Sequence, residues 1–350
     1  MNQNFNESPY GKIPLGFDFE DLKEKGELPS RAEKRQLMLL STVVGLCVIF
    51  FIRIQNIIPN ILIRLGLGSV YLSNELAQVA IDSLISIFCI LIPFVIGGFF
   101  CKRISPSTDI LPFKKPNSKN LFYLAIAMGG LALMVSNYIT SAFVFFMEEV
   151  GVKFTSPEME GFTGGTALFL MYIIRGALVP ALVEEFALRG VVMQPLRKYG
   201  DKFAILISSL IFAVMHGNMI QAPFAFILGC AMGYLVIITD TLWTGVAIHF
   251  FNNSFSIVMS TIASKLDYEV YFKVFSLSSA VILTIGGLAT AIFLSRRKKY
   301  PYTDSRGGIT RRAKKDYFKS ALKIYMLNPA ILVSLGMLIY SMREYVSLGG

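Results

Sequence analysis

Histidine is almost missing from this sequence: two occur in 350 residues, His216 and His249. Cysteine is nearly as scarce. Cys47, Cys89, Cys101 and Cys230 lie in or beside apolar runs and form no CxxC pair, which argues against a zinc ribbon or a disulfide framework. Charge is thin too, at 16% of residues, against 54% hydrophobic and a mean hydropathy of +0.59. That balance excludes a soluble domain and points to a polytopic membrane protein. The apolar runs are continuous and lack period-two alternation, so a β-barrel is excluded as well. No secretory signal is evident, because the first 36 residues are polar and carry both charge signs.

What is present is a series of apolar runs near 37–54, 76–100, 120–147, 166–190, 203–217, 223–239, 242–262 and 272–295, with a ninth at 328–342. They predict an all-α transmembrane bundle of eight core helices, the fifth short enough to need a bend or shelter from its neighbours. The segments expected are a polar tail at 1–36, a bundle at 37–295 with its chemical core at 166–262, a basic linker at 296–327 and a last span with the C-terminus at 328–350.

Basic residues mark alternate ends of these runs. Lys102, Arg103, Lys114, Lys115 and Lys119 fall between runs two and three, and Arg197, Lys198 and Lys202 between four and five. Eleven Lys or Arg lie between Arg296 and Lys323. The intervening loop 148–165 is acidic, with Glu148, Glu149, Glu158 and Glu160 against Lys153. The positive-inside rule then predicts a multi-pass protein of the cell membrane with a cytoplasmic N-terminus and loop 148–165 outside. The net charge of +10 is explained by topology and not by nucleic acid. Contact between the linker and anionic lipid headgroups is the secondary reading of its charge.

The polar residues within the runs carry the chemistry. An ionised side chain at mid-bilayer costs about 2.5–3.5 kcal/mol on insertion scales. Yet one run holds Glu184-Glu185 and two others hold the only histidines, so three neighbouring segments point to one buried centre. At about 100° per residue, Arg189 shares a helix face with Glu185 while Glu184 points elsewhere. His249 and Asn253 share a face one turn apart, as do Phe212 and His216. Pro180 cannot donate to the carbonyl of Gly176, which predicts a kink just before the glutamates. Asp82, Arg175 and Asn137 also lie in runs and are expected to serve packing.

Glu184-Glu185-Phe-Ala-Leu-Arg189, Phe212-Ala-Val-Met-His216 and His249-Phe-Phe-Asn-Asn253 stand in order on successive segments. They resemble the EExxxR, FxxxH and HxxxN motifs of the CPBP intramembrane proteases, which include type II CAAX prenyl endopeptidases and bacteriocin-immunity (Abi) proteins. The likeness covers about 166–260. It implies a membrane endopeptidase acting on a membrane-associated or lipidated protein or peptide, with Glu184, His216, His249 and Asn253 catalytic and Glu185, Arg189 and Phe212 supporting them.

Read as chemistry, Glu184 is the candidate general base for a water, His216 its second holder, and His249 with Asn253 the oxyanion donors. Zinc held by Glu184, His216 and His249 is the alternative, although the sequence has no HExxH. A cavity open to the cytoplasm would bring the three segments to one depth. A scaffold or bacteriocin self-immunity protein on the same fold is the rival reading. A proton-coupled transporter and a bis-histidine haem protein explain fewer of these residues.

Overall fold

The computed structural model describes residues 28–66, 68–154, 165–300 and 311–348. Its long helices are α1 (Arg31–Arg64), α3 (Glu75–Ile104) and α4 (Lys119–Glu149), then the composite α5 (Thr166–Tyr199). These are followed by α6 (Asp201–Met215), α7 (Gln221–Thr239), α8 (Leu242–Ala263) and α9 (Tyr268–Ser295). A single short helix, α2 (Gly68–Ser73), joins α1 to α3. Seven of these helices are long and apolar enough to cross a membrane. An eighth span is completed if the pair α10 (Arg311–Met326) and α11 (Pro329–Met342), bent by 71°, counts as one. The protein is an all-α polytopic bundle.

Capping side chains set where several helices begin. Ser30 and Glu33 form a reciprocal capping box at the start of α1, with Ser30 N–H donating to Glu33 Oε2 at 2.8 Å. Asn74, Ser118 and Thr241 cap α3, α4 and α8 more simply, each accepting one backbone N–H with its side-chain oxygen. The apolar runs between caps turn many large side chains outward, among them Phe50, Phe88, Phe99, Leu277 and Leu288. In water these would be a liability; in a bilayer they face their solvent. Inside the bundle, small residues let helices approach, as where Gly129 of α4 meets Ile248 of α8.

At 15 residues α6 is too short to span alone, and it is sheltered: Phe203, Ile207, Ile211 and Phe212 are buried. Within the basic segment 296–327, α10 is an ordered helix whose Tyr317, Ala321 and Tyr325 are buried, with Tyr317 Oη donating to Glu33 of α1 at 2.9 Å. The expected tail at 1–36 falls mostly outside the described residues, as does much of loop 148–165.

Contacts between helix ends fix which ends share a face. Leu242 N–H donates to the carbonyl of Pro112 at 3.0 Å, and Thr241 Oγ1 to that of Lys114 at 2.6 Å. Lys114 pairs with Asp240 at 2.6 Å. The start of α8 therefore lies beside the start of α4, among the basic loops. Lys198 Nζ reaches Gln36 at 2.7 Å and Ser105 at 3.2 Å, so the starts of α1 and the ends of α3 and α5 join that face. On the opposite face β1 (Val152–Phe154) pairs antiparallel with β2 (Val346–Leu348), tying the end of α4 to the end of the chain. The alternation read from charge is thus matched by the way the helix ends are joined.

Candidate active site

The glutamates sit on α5, whose hydrogen-bond ladder is irregular on both sides of them. Pro180 removes the N–H that would meet Gly176, and the backbone widens into a π turn at Ile174–Leu178, with Val179 N–H reaching Ile174. A second π turn spans Phe186–Val192. The disturbance expected at Pro180 takes the form of these wider turns. Asn253 of α8 donates from Nδ2 to the Gly176 carbonyl at 2.9 Å. The amide expected to face an oxyanion therefore spends one N–H on the backbone group that Pro180 leaves short of a donor.

Glu185 and Arg189 form the i,i+4 pair that helical spacing predicts, at 2.9 Å, and both are fully buried. Two buried charges persist only when further donors and acceptors surround them. Here Arg189 also donates to the carbonyl of Gly229 at 3.3 Å, and its guanidinium lies 4.5 Å from the centre of the Phe212 ring. Glu185 Oε1 takes a second hydrogen bond from His249 Nδ1 at 3.2 Å. A carboxylate can only accept, so Nδ1 carries the proton and Nε2 is the working nitrogen.

Nε2 of His249 faces Glu184, 3.8 Å from Oε2, beyond direct hydrogen-bond length. The Glu184 side chain keeps 22% of its surface exposed, whereas that of Glu185 keeps none. His216 is fixed in the same sense as His249: its Nδ1 donates to the Phe212 carbonyl at 2.8 Å, leaving Nε2 free. Phe212 stands between the two imidazoles, edge-on to His216 at 4.8 Å and to His249 at 5.6 Å between ring centres.

Two cavities meet at His216. A 150 Å³ cavity is lined by Glu184, His216, Phe212 and Pro180, together with Gln55 of α1 and Ser86 of α3. A larger one of 710 Å³ has His216, Gly176, Asn252 and Asn253 in its wall and runs along α4 to Glu148. This larger space approaches the site from the face opposite the basic loops, and not from the cytoplasmic face that the charge pattern had suggested.

Among the described residues, no group of three or more His, Cys, Asp or Glu side chains is placed to hold a metal ion. Glu184, His216 and His249, the donors considered for zinc, are not gathered as such a set. Asp82 and Arg175 pair with each other at 2.9 Å, with Tyr71 Oη donating to Asp82 at 2.9 Å, while Asn137, expected to serve packing, lines the larger cavity.

Three contributors escape sequence reading. Gly245, one turn before His249, lies against the Glu185 carboxylate where any Cβ would collide with Oε2. Gly229 leaves room for the Arg189 guanidinium. Asn252 donates to Asn253 Oδ1 at 2.7 Å and so orients it. The only sequence signal for these is a small or polar residue one helical turn, or one residue, from a motif position.

Residues 166–255 match the family model described as type II CAAX prenyl endopeptidase, Rce1-like, over about a quarter of the chain. This segment is similar to the CAAX-protease family. The match begins at the first residue of α5 and ends two residues after Asn253, so it takes in Glu184, Glu185, Arg189, Phe212, His216, His249 and Asn253, while Gln55, Ser86 and Glu148 of the cavity walls lie outside it. No curated protein and no solved structure shows significant similarity to the chain. The CAAX-protease segment carries with it a general activity, hydrolysis of a peptide associated with the membrane. Its apolar helices make the protein an integral membrane protein.

Proposed function

We propose that the protein is an intramembrane endopeptidase in which Glu184 activates the attacking water. The observation that carries this reading is the contrast between the two glutamates. Glu185 is sealed between Arg189 and His249, while Glu184 meets a cavity beside His249 Nε2 and His216.

Glu184 takes a proton from a water held between its carboxylate and His216 Nε2, and the water oxygen attacks the scissile carbonyl carbon. The carbonyl oxygen becomes an oxyanion. With Nδ1 held on Glu185, a His249 imidazolium donates to the oxyanion from Nε2. The C–N bond then breaks as Glu184 returns the proton to the departing amine, leaving a carboxylic acid and an amine, which separate as carboxylate and ammonium once the acid gives up its proton. Asn253 holds the π turn through Gly176 and presents its remaining N–H at the junction with the larger cavity.

Comparative membrane proteomics of cells carrying wild-type protein or Glu184→Gln tests the reading. A membrane-associated protein that accumulates uncut in the variant, and is cut by purified wild-type protein, is the expected outcome. Identical proteomes, with both proteins folded and expressed, would favour a binding role for the same fold.

A further inference from the structure

Glu184 lies deep in the bilayer, 15 residues before the end of α5 at the basic face, or roughly 22 Å along the helix. Polar groups at such depth face the bundle interior or a water-filled cavity. The 150 Å³ cavity beside Glu184 has room for several waters, since each takes about 30 Å³ in the liquid and needs about two to four polar partners. Its lining offers them from four helices: Glu184 of α5, His216 at the end of α6, Gln55 of α1 and Ser86 of α3. All four keep accessible surface, Gln55 and His216 being exposed and Ser86 and Glu184 half-buried. Glu184 and His216 have roles in the cleavage step. Gln55 and Ser86 have none so far.

Their depths suggest one. Gln55 lies 19 residues beyond Gln36, which Lys198 holds at the basic face, or roughly 28 Å along α1. The hydrocarbon is about 30 Å thick, so Gln55 stands near the face opposite the basic loops. Ser86 is deeper, 11 residues or roughly 16 Å from the start of α3 at that same face. One turn outward from Ser86, on the same side of α3, Asp82 holds Arg175 and Tyr71. The other side of α3 exposes Leu84, Phe88 and Val95, as a lipid-facing surface does. Polar groups thus descend from the face opposite the basic loops, past Asp82 and Gln55 to Ser86 and then Glu184.

We infer that Gln55 and Ser86 hold a file of water that enters between α1 and α3 from that face and supplies Glu184. Gln55 stands at the opening, and Ser86 passes water on to the carboxylate. Both are positioning residues, since they touch the water before it is activated. That the water is consumed rests on the endopeptidase reading; its presence and its route do not.

Thiol labelling of the full-length protein in membrane vesicles of both orientations tests the route. Methanethiosulfonates react with the thiolate, which forms in water and not among lipid tails. Ser86→Cys reports on the small cavity, Ser141→Cys on the larger one, Phe88→Cys on the lipid face at nearly the same depth, and Lys115→Cys on the basic face. The parent chain supplies the background, since Cys47, Cys89 and Cys101 are buried. A small, cationic, membrane-impermeant reagent is expected to modify Ser86→Cys at least about tenfold faster than Phe88→Cys, in the vesicle orientation that hides Lys115→Cys. Gln55→Trp, which fills the opening, should slow Ser86→Cys and leave Ser141→Cys unchanged. Met215→Cys, in the wall of the same cavity, serves if Ser86→Cys fails to fold. Ser86→Cys reacting no faster than Phe88→Cys, reacting only from the Lys115 side, or responding to Gln55→Trp no more than Ser141→Cys does overturns the proposal. With the membrane protein that accumulates in Glu184→Gln cells as substrate, Ser86→Val should lower kcat about tenfold at unchanged KM, and Ser86→Thr should keep most of the rate. A raised KM at unchanged kcat would give Ser86 to peptide binding and overturn its role. Labelling as expected in a protein that cleaves nothing keeps the water route and removes the endopeptidase reading; cleavage by wild type with Ser86→Cys unreactive does the reverse.

Discussion

Glu184 and Glu185 are neighbours in sequence, yet Glu185 is locked between Arg189 and His249 while Glu184 borders a cavity. Their variants should therefore fail differently. Glu184→Gln keeps size and hydrogen bonding but removes the base, and general acid–base catalysis is typically worth about 10²–10⁴-fold. Its cleavage rate should fall by at least that much with no change in melting temperature. Glu185→Gln strands the buried Arg189 guanidinium, and breaking such a pair costs about 3–5 kcal/mol. Thermal melts should show a clear loss of stability along with loss of activity, and Arg189→Gln in the same chain should restore part of the stability. A stable, inactive Glu185→Gln beside an unfolded Glu184→Gln would reverse the roles assigned here. Gly245→Ala drives a methyl group into the Glu185 carboxylate. Overpacking of this kind typically costs about 1–3 kcal/mol, and the displaced carboxylate takes His249 with it. A modest drop in melting temperature with a much larger drop in rate is expected. Chelation bears on the same residues: cleavage should survive thorough removal of divalent metal in detergent, and a full loss reversed by zinc would assign the water to a metal.

At the scale of the helix, α5 carries its glutamates between two π turns, and Pro180 accounts for the first. Pro180→Ala returns an N–H able to meet the Gly176 carbonyl, which Asn253 now serves from α8. The ladder can then close into a regular α-helix, rotating the glutamates relative to His249 and releasing Asn253. The variant should melt at a higher temperature than wild type and cleave more slowly, by about 10²-fold if the displacement reaches 1 Å. A faster enzyme, or one of unchanged rate, would show that the π turn has no part in placing Glu184. Pro180 was legible in the sequence as a disturbance of the helix. Its result was not, because whether a helix kinks or widens depends on what satisfies the freed carbonyl, and that group arrives from 77 residues away.

At the scale of the molecule, the pairing of β1 with β2 and the docking of 112–117 against 240–242 divide the bundle into two faces. Lys153→Cys in β1 and Lys115→Cys in the basic loop should label from opposite sides of the membrane, with Lys153→Cys reacting in intact cells. Labelling of both from one side would contradict the division, and reaction of Lys153→Cys only in inverted vesicles would reverse the orientation.

Sequence alone determined the helical class, the order of the spans and the alternation of basic and acidic ends, because hydropathy and charge act along the chain with the bilayer as reference. It also determined the Glu185–Arg189 pair, since i,i+4 neighbours meet on any helix. Only the tertiary structure decided that Glu185 would hold His249, 64 residues distant, and that Asn253 would serve a backbone carbonyl before a substrate. It likewise decided that the large cavity would run to Glu148 at the face away from the basic loops. Helical periodicity tells which residues share a face of one helix. Which faces meet is set by how bulky and small side chains interlock, as where Gly245 admits the Glu185 carboxylate and Gly129 admits Ile248, and that is a property of the packed bundle.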